Sequence, residues 1–420
     1  MRGAEPECPQ PAATAAKGSG IYPGWYAVGL GFLLQLFASG PIYYAYGNYS
    51  AAFEQEFQAP RTVINFAYSL VVLIGALGSA PVGWLADRWP IRRLALIGVV
   101  GTAVGLALVG ATTAMWQIVL LFGTLIATAD IFIGNVTSNY LISHWFERRR
   151  GLALGLSIIG ASVAAMVFPP LSSALIDMAG WRATFAIYGL AMLLLIGPIW
   201  LFATVPPTMP ERERKPQSAV PVGRKVMGFR ALGAIPAFWI ISACCGTMIG
   251  VNGAMMISLV PYAIGRGFTS LEGATLVSMV GGGALAGKLA FGLVADRVDL
   301  RWAQRLGLLL MAAAMVLLIA EGGYATLACA AIIFGLGLGG MMPVWAALVS
   351  HIFGLASCGS ALGGTRAAMT PLAMGGPMLA GWAFDMTGDY RMAWQVFLAA
   401  LLAATALTFI RRDWARSLSE

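Results

Sequence analysis

The stretch GLVADRVDLRW at residues 292–302 resembles the stretch GWLADRWPIRR at residues 83–93 and is identical to it at five of eleven positions. The two share the frame G-x-x-A-D-R at an offset of 209 residues. A second pair, DMAGWR at 177–182 and DMTGDYR at 385–391, begins at an offset of 208. Two matches at nearly one offset predict that the chain is a duplication of two equivalent halves.

The composition places most of this chain in lipid. Of its 420 residues, 59% are hydrophobic and only 10% are charged, and the mean hydropathy is +0.78. A soluble protein carries about 25% charged residues. Long apolar runs recur along the chain, and they are continuous rather than alternating, as expected of helices that cross a bilayer. Because only helices and closed barrels satisfy the backbone in lipid, the sequence predicts an all-α membrane protein.

Twelve membrane-spanning helices are expected, in two parallel six-helix repeats that begin on the same side of the membrane. The polar, proline-rich segment 206–235 is the predicted cytoplasmic linker between the N-terminal half, 21–205, and the C-terminal half, 236–412. Residues 1–20 are interpreted as a disordered cytoplasmic tail rather than a cleavable signal peptide, and 413–420 as a second cytoplasmic tail. The predicted spans are 24–48, 61–86, 93–113, 116–144, 150–176, 182–205, 236–264, 271–296, 302–320, 324–351, 357–384 and 391–411.

The basic residues predict the orientation. Twenty of the 26 Lys and Arg residues fall in the tails, the linker and the loops on one side of the predicted spans. Only Arg61, Arg182, Arg266 and Arg391 lie on the other side. Since cytoplasmic loops carry the excess of Lys and Arg, we expect a multi-pass protein of the cell's inner (plasma) membrane with both termini in the cytoplasm. The net charge of +8 results from this excess of cytoplasmic Lys and Arg, so it does not indicate a nucleic-acid partner.

The sequence contains no pattern typical of a catalytic or metal site. The five cysteines show no paired spacing, and the two histidines, His144 and His351, are far apart. Neither a nucleophile elbow nor a phosphate-binding loop occurs. We therefore expect no enzyme activity, no cofactor, no metal and no direct use of ATP.

With these features the chain resembles the major facilitator superfamily of secondary transporters over residues 20–412. The two G-x-x-A-D-R loops resemble the family signature between its second and third helices and the echo of that signature between the eighth and ninth. Pro90 and Ile91 stand where a glycine and a base are usual. The resemblance implies the major facilitator fold, whose halves rock about a midplane site. The loop residues that it implies as a conformational lock are Asp87, Arg88, Asp296 and Arg297.

Three stretches resemble the monocarboxylate transporter and oxalate–formate exchanger branch of that superfamily. They are GWYAVGLGFLLQLFASGPIYYAYGNYSAAFEQEF (24–57), HWFERRRGLALGLSIIGASVAAMVFPPL (144–171) and GPMLAGWAFDMTGDYRMAW (376–394). The branch has a base on the eighth span and, in the exchangers, another on the eleventh. Lys288 in AGKLAFG and Arg366 in GGTRAAM match these bases, which implies carboxylate transport. Ala284 stands where animal carriers have an aspartate, so their aspartate–arginine proton device is absent in that form.

Charged side chains in the middle of the predicted spans are the candidate functional residues. A charge at the bilayer centre costs at least about 2.5–3.5 kcal/mol, so it is usually functional. Helix rise places Lys288 and Arg366 level with each other and near the midplane. We interpret them as an anion clamp in which Arg366 holds a carboxylate bidentately and Lys288 adds a point charge. The alternative is that either base pairs with Asp130 for structure alone.

Asp130 in the fourth span is the candidate proton-coupling group, because a buried carboxylate exchanges its proton as nearby cations approach or leave. The alternative is that it serves as a fixed counter-ion for Arg366. Glu54 and Glu56, near the predicted outer mouth, are given no role beyond solvation. Further candidates for substrate contact are Tyr43, Asn48, Asn135, Asn252 and Trp345.

These observations predict a monomeric secondary active transporter that moves a small organic monocarboxylate through the bilayer, with a proton, by alternating access. Three alternatives stay open: an exchanger of dicarboxylates or other anions, an exporter of amphipathic organic anions, and a membrane sensor that does not transport. With two cations and one acid, the site has a net positive charge. It would suit a divalent anion if Asp130 is protonated or lies away from the ligand.

Overall fold

The computed structural model describes residues 22–86, 88–146, 150–203, 229–294 and 299–410, and every regular element in those ranges is a helix. Parts of the expectations above lie outside the described residues. They are the tails 1–20 and 413–420, most of the linker 206–235, the lock residues Asp87, Asp296 and Arg297, and the side chain of Asn135.

Two glycines divide helices that are too long for a single crossing. Ten stretches of the described chain are long and apolar enough to cross a membrane. However, Arg150–Leu193 has 44 residues and Tyr324–Thr387 has 64, whereas one crossing needs about 20. Each contains one glycine with non-helical backbone, Gly180 (φ 79°, ψ 162°) and Gly354 (φ 71°, ψ 163°). A positive φ costs glycine little because it has no Cβ, so each long helix reverses there.

Divided at these glycines, the described helices give twelve segments, which we number as spans in chain order. Their bounds are span 1 (Gly24–Phe57), span 2 (Arg61–Ala86), span 3 (Ile91–Gly110), span 4 (Met115–Trp145), span 5 (150–179), span 6 (181–202), span 7 (Pro236–Gly265), span 8 (Ser270–Val294), span 9 (Leu300–Ile319), span 10 (324–353), span 11 (355–387) and span 12 (Arg391–Ile410). A short helix, Phe229–Gly233, precedes span 7.

Span 1 extends beyond its predicted end at residue 48 and continues to Phe57. The added residues include polar ones, but Tyr46, Tyr49 and Phe53 are fully buried at helical spacing. Tyr49 packs on Phe185 of span 6 with ring centroids 4.3 Å apart. This buried aromatic face, rather than overall hydrophobicity, holds the last turns of span 1 against the bundle.

The duplication is visible in the helix boundaries. Span 3 begins at Ile91 and span 9 at Leu300, and both are 20 residues long. The residues before them, Pro90 (φ −57°, ψ 125°) and Asp299 (φ −54°, ψ 125°), have the same backbone conformation. In the second half Asp299 accepts a hydrogen bond from the Arg301 backbone N–H, which caps span 9. The fold of two parallel repeats is therefore confirmed.

The two halves meet along spans 2 and 11 and along spans 5 and 8. Small residues permit the close approach: a Cβ on Gly281 of span 8 would lie 2.7 Å from the Ala165 Cβ of span 5. We call the end of the bundle where spans 1 and 2 connect the Arg61 end, and the opposite end the Arg88 end. Large apolar side chains such as Leu77, Leu194 and Leu293 are exposed on the spans, as a lipid-facing surface requires.

Candidate functional site

A cavity lies between the two halves, enclosed by spans 2, 7, 10 and 11. Its volume is about 50 Å³, and its described lining holds one charged residue, Arg366, and no acid. Thr370 supplies the hydroxyl in the lining. The other lining residues are Val72, Ala76, Cys245, Ile249, Met341, Met342, Trp345, Met369 and Ala373.

Hydrogen bonds close the cavity on its Arg61 side. Asn65 Nδ2 donates to Pro377 O at 2.9 Å, and Ser69 Oγ donates to Met374 O at 2.9 Å. Both bonds join span 2 to span 11. The cavity lining begins at Val72, one turn after Ser69 on span 2, and at Ala373, next to Met374 on span 11. The halves are thus bound together from the Arg61 end down to the cavity, and they part at the cavity itself.

The guanidinium of Arg366 lines this cavity. Its side chain is exposed, and none of the residues with described side chains forms a hydrogen bond or ion pair with it. Trp345, a second predicted substrate contact, lines the same cavity, and its Nε1 donates to Thr365 Oγ1 at 3.2 Å. Because a guanidinium offers five N–H donors, Arg366 has its full capacity available for an anion.

Lys288 has different neighbours. Its Nζ donates to the Ser162 Oγ of span 5 at 2.7 Å, and Ser162 is buried. Lys288 is not among the described lining residues of the Arg366 cavity. An ammonium has three N–H donors, so two of them lack an acceptor among the described residues. The structure therefore places Lys288 on the contact between spans 5 and 8, where it joins one half to the other.

Helix rise puts the two bases at similar depth. Lys288 is about 27 Å along span 8 from Ser270, and Arg366 is about 28 Å along span 11 from Asp385, both measured from the Arg61 end. Lys288 is about 9 Å before Val294, the last residue of span 8 that the structure describes. Measured along their helices from the Arg61 end, the two bases therefore lie at similar distances.

Asp130 and Tyr43 form a buried pair between spans 4 and 1. The Tyr43 hydroxyl donates to Asp130 Oδ2 at 2.9 Å. Asp130 is buried, and its Oδ1 has no hydrogen-bond partner among the described residues. Among the described residues, no Lys or Arg side chain lies within 4.0 Å of the Asp130 carboxylate. Neither Lys288 nor Arg366 is therefore its counter-ion in this conformation.

Irregular backbone positions this pair. Tyr43 lies within a π-helical turn, Gly40–Tyr44, in which the Ala45 N–H donates to Gly40 O. Asp130 lies in a short helical piece, Ala127–Ile133, between a second π-helical turn and a break at Gly134 (φ −72°, ψ −144°). Such turns are rare and frequently occur at functional sites. They change the helical register, so the side chains beyond them do not follow a regular 3.6-residue spacing.

The remaining predicted contacts are not gathered in one place. Asn48 is buried between spans 1 and 5, where its Nδ2 donates to Pro169 O at 3.2 Å. The Oδ1 atoms of Asn48 and of Asn252, in span 7, are buried without a described partner. Asn135 begins the last helical piece of span 4, Asn135–Trp145. Of the predicted lock, Arg88 is described, and its guanidinium lies 3.7 Å above the Trp84 ring.

The expectation that Glu54 and Glu56 are only solvated is wrong. Glu54 forms an ion pair with Arg61 at 2.7 Å, and Glu56 forms one with Arg182 at 2.5 Å. Glu56 also accepts a hydrogen bond from Trp181 Nε1 at 2.6 Å. Both ion pairs connect residues of different spans, so they cannot be predicted from the spacing of the charges in the sequence. Among the described residues, no group of His, Cys, Asp or Glu could hold a metal ion.

Solved structures share this architecture. A bacterial homologue of the human lysosomal transporter Spinster, in an inward-facing and unoccupied conformation, superimposes with a TM-score of 0.73. The match covers 94% of this chain and 97% of that protein at 18% identity. At this identity the likeness shows the fold alone.

Known sequences show the family. The model of the Major Facilitator Superfamily matches residues 31–298. Monocarboxylate transporter 11 of Mus musculus is 25% identical to this chain, over 84% of the chain and 78% of that protein. Monocarboxylate transporter 13 of Bos taurus is 23% identical to this chain, over 91% of the chain and 88% of that protein. The uncharacterized transporter YhjX of Escherichia coli is 24% identical, over 78% of the chain and 80% of that protein. The resemblance to the monocarboxylate transporter branch is confirmed. Because the family model matches more than half of its residues, this chain belongs to the Major Facilitator Superfamily, and it is a multi-pass membrane transporter, not an enzyme.

Proposed function

We propose that this transporter carries a small organic monocarboxylate across the membrane together with a proton, by alternating access. The observation that carries the proposal is the unpartnered guanidinium of Arg366 in an otherwise apolar cavity. A charge in such surroundings attracts an opposite charge more strongly than it would in water. A guanidinium also matches a carboxylate geometrically, through two parallel N–H···O bonds.

The lining favours a ligand with one carboxylate and an apolar body. Arg366 is the one cation in the described lining, and most of the other lining residues are aliphatic, sulfur-containing or aromatic. Methionines such as Met341 and Met342 are flexible and polarisable, so they adapt to ligands of different shape. A dicarboxylate would leave its second charge against these side chains, which is costly. The relatives named monocarboxylate transporters support the same choice.

Lys288 completes the anion site in this proposal. Its ammonium contacts Ser162 of the opposite half, and two of its N–H groups are free of described acceptors. When the halves rock, this contact changes, and the ammonium becomes available to the carboxylate that Arg366 holds. The anion clamp predicted from the sequence thus forms during the cycle rather than in the present conformation.

Asp130 is proposed to carry the proton. Its Oδ1 is buried without a partner, so a proton bound there would meet no competing donor among the described residues. Tyr43 links this acid to the anion site, since its hydroxyl bonds Asp130 and lies within electrostatic range of Arg366. Where rocking of the halves brings Arg366 close to Asp130, a carboxylate bound at Arg366 would cancel that positive charge and so favour proton uptake by Asp130.

The Arg88 end is proposed to face the cytoplasm, in the plasma membrane, because most of the basic residues belong to the loops and tails on that side. The cavity lies on the Arg88 side of the bonds that join spans 2 and 11, so this conformation faces inward. Both termini would then be cytoplasmic, and the conformational lock at Asp87, Arg88, Asp296 and Arg297 would act at that end.

Uptake into proteoliposomes tests the function. The purified protein is reconstituted and offered radiolabelled acetate, lactate, hexanoate, phenylacetate, oxalate or succinate, with and without an inward proton gradient. We expect monocarboxylate uptake that the gradient accelerates and that protein-free liposomes do not show. Uptake that requires the same anion inside would indicate exchange. Uptake of oxalate or succinate alone, or of none of the six acids, would contradict the proposal.

A further inference from the structure

A cluster at the Arg61 end joins the two halves through the start of span 2. The carboxylate of Asp385, at the end of span 11, accepts hydrogen bonds from the backbone N–H groups of Arg61 and Thr62, each at 2.9 Å. It also accepts one from Thr62 Oγ1 at 2.5 Å. An anion at a helix N-terminus satisfies unpaired N–H donors and opposes the positive end of the helix dipole. Asp385 therefore caps a helix of the opposite half.

The Arg61 side chain adds a second set of contacts at the same place. It forms two hydrogen bonds from Nε and one from Nη2 to the carboxylate of Glu54. Its Nη1 donates to the Tyr390 hydroxyl at 2.6 Å, and its guanidinium lies 3.5 Å from the centroid of the Phe384 ring. Glu54 belongs to the first half, whereas Phe384 and Tyr390 belong to the second. The side chain is only 14% exposed, which keeps its charge interactions poorly screened.

The repeat-related place lacks this cluster. Span 8 begins at Ser270, the counterpart of Arg61, and Asp177 in span 5 is the counterpart of Asp385. Asp177 is exposed and has no hydrogen bond or ion pair with another described residue. Span 8 is capped within its own half instead, because Glu272 accepts from the Thr269 backbone N–H at 2.8 Å. Among the described residues at the start of span 8, the hydrogen bond across the two halves joins the hydroxyls of Ser173 and Ser270 at 2.9 Å. Further along span 8, Ser278 Oγ donates to Met166 O of span 5 at 2.7 Å.

We infer that Asp385, Arg61 and Thr62 form a one-sided latch, which holds the transporter closed at the Arg61 end, and that the symmetric interface contributes no such latch. The inference rests on the alternating access of the proposed function, but it does not depend on which substrate is carried. To admit a solute from the Arg61 side, spans 2 and 11 must separate, and every bond to Asp385 then breaks. The strength of the latch therefore sets the ratio of molecules open at the Arg61 end to molecules closed there.

Distances between two spin labels test the latch directly. Met178 and Met386 are repeat-related, highly exposed and in opposite halves at the Arg61 end, so Met178→Cys and Met386→Cys carry the labels. The background has its native cysteines replaced, and no solute is added. Asp385→Ala is expected to raise the open-to-closed ratio about tenfold, within the range reported for removal of a helix cap. Asp177→Ala, the matched control, is expected to leave the ratio unchanged.

Two results would overturn the latch: equal ratios in Asp385→Ala and Asp177→Ala, or a single closed population in every variant. If Asp385→Ala does not fold, Thr62→Val removes one of the three bonds, and it should raise the ratio by a smaller factor. An unchanged ratio in folded Thr62→Val would also contradict the latch. Since no solute is present, failure of the carboxylate assignment would appear in the uptake assay and not in these distances.

Discussion

The interface between spans 5 and 8 and its repeat-related partner between spans 2 and 11 occupy equivalent places but are built differently. The first is a continuous contact of small and hydroxyl-bearing residues, from Ser173 and Ser270 to Ser162 and Lys288. The second is held by a charged cluster at the Arg61 end and then parts around the cavity of Arg366. The duplication provides a symmetric scaffold, and the proposed substrate site lies where the symmetry is broken.

The charges are also divided between the halves. Both bases belong to the second half, and at their equivalent positions the first half has Ser79 for Lys288 and Ile158 for Arg366. Asp130 belongs to the first half, and Gly339 stands at its equivalent position in the second. Rocking of the halves therefore changes the distance from the acid to the bases. A proton and an anion can be coupled in this way without any group that contacts both.

The largest effect is expected for Arg366→Ala, which removes the charge from the interface that opens. Each hydrogen bond to a charged group contributes about 1.5–3 kcal/mol and a bidentate contact has two, so monocarboxylate uptake should fall about 100-fold or more. Met369→Leu, a change of similar volume in the same lining, should keep most of the uptake. Membrane expression and initial rates in proteoliposomes measure both. Normal uptake by a correctly inserted Arg366→Ala protein would show that Arg366 does not bind the substrate.

Lys288→Ala is expected to reduce uptake about tenfold to 100-fold, because it acts at the interface that stays closed here and adds a point charge later in the cycle. Ser162→Ala is the companion change, since it removes the hydroxyl but keeps the ammonium. If Lys288 binds the anion, Ser162→Ala should retain most of the uptake, because the proposed cycle breaks this contact before the ammonium meets the carboxylate. Equal losses in both variants would show that Lys288 serves only to join spans 5 and 8.

Asp130→Asn tests whether the acid of the first half couples transport to protons. The amide cannot exchange a proton at this place, but it can still accept a hydrogen bond from Tyr43. We expect a proton gradient to accelerate uptake several-fold in the unaltered protein and to have no effect in the variant. Exchange of labelled for unlabelled substrate, which needs no net proton movement, should continue. A preserved response to the gradient would exclude Asp130 as the proton carrier.

The smallest effect is expected for Gly281→Ala at the tight interface. Its added Cβ would lie 2.7 Å from the Ala165 Cβ, so spans 5 and 8 must shift apart. Overpacking of this kind costs about 1–3 kcal/mol. Gly282→Ala is the matched control, because its Cβ would come no nearer than 4.0 Å to the Met166 Cε. Thermal denaturation in detergent should show a lower transition temperature for Gly281→Ala alone, and equal temperatures would contradict the tight packing.

The sequence predicts the fold well because the relevant signals are local. Long apolar runs mark the spans, and the repeated G-x-x-A-D-R frame marks the two halves. The prediction failed at span 1, where a single buried aromatic face within a polar stretch extends the helix to Phe57. A window average of hydrophobicity does not detect such a face.

The candidate site is predictable only in part. Arg366 and Lys288 stand out because charges are rare in lipid, whereas Cys245 and Met369 look the same in the sequence whether they pack or line a cavity. Contacts between distant positions, such as Asp385 with Arg61, leave no signal in one sequence because 324 residues separate the partners. The Ser162 partner of Lys288 is hidden for the same reason.

The two π-helical turns, Gly40–Tyr44 in span 1 and Phe122–Ile126 in span 4, each hold one residue beyond a regular turn. In an α-helix one residue corresponds to about 100° of rotation. Deleting a residue from either turn would rotate the two parts of that span by about 100° relative to each other, which would separate Tyr43 from Asp130. Single-residue gaps in an alignment of relatives at these two turns would therefore mark lineages that have abandoned this tyrosine–aspartate pair.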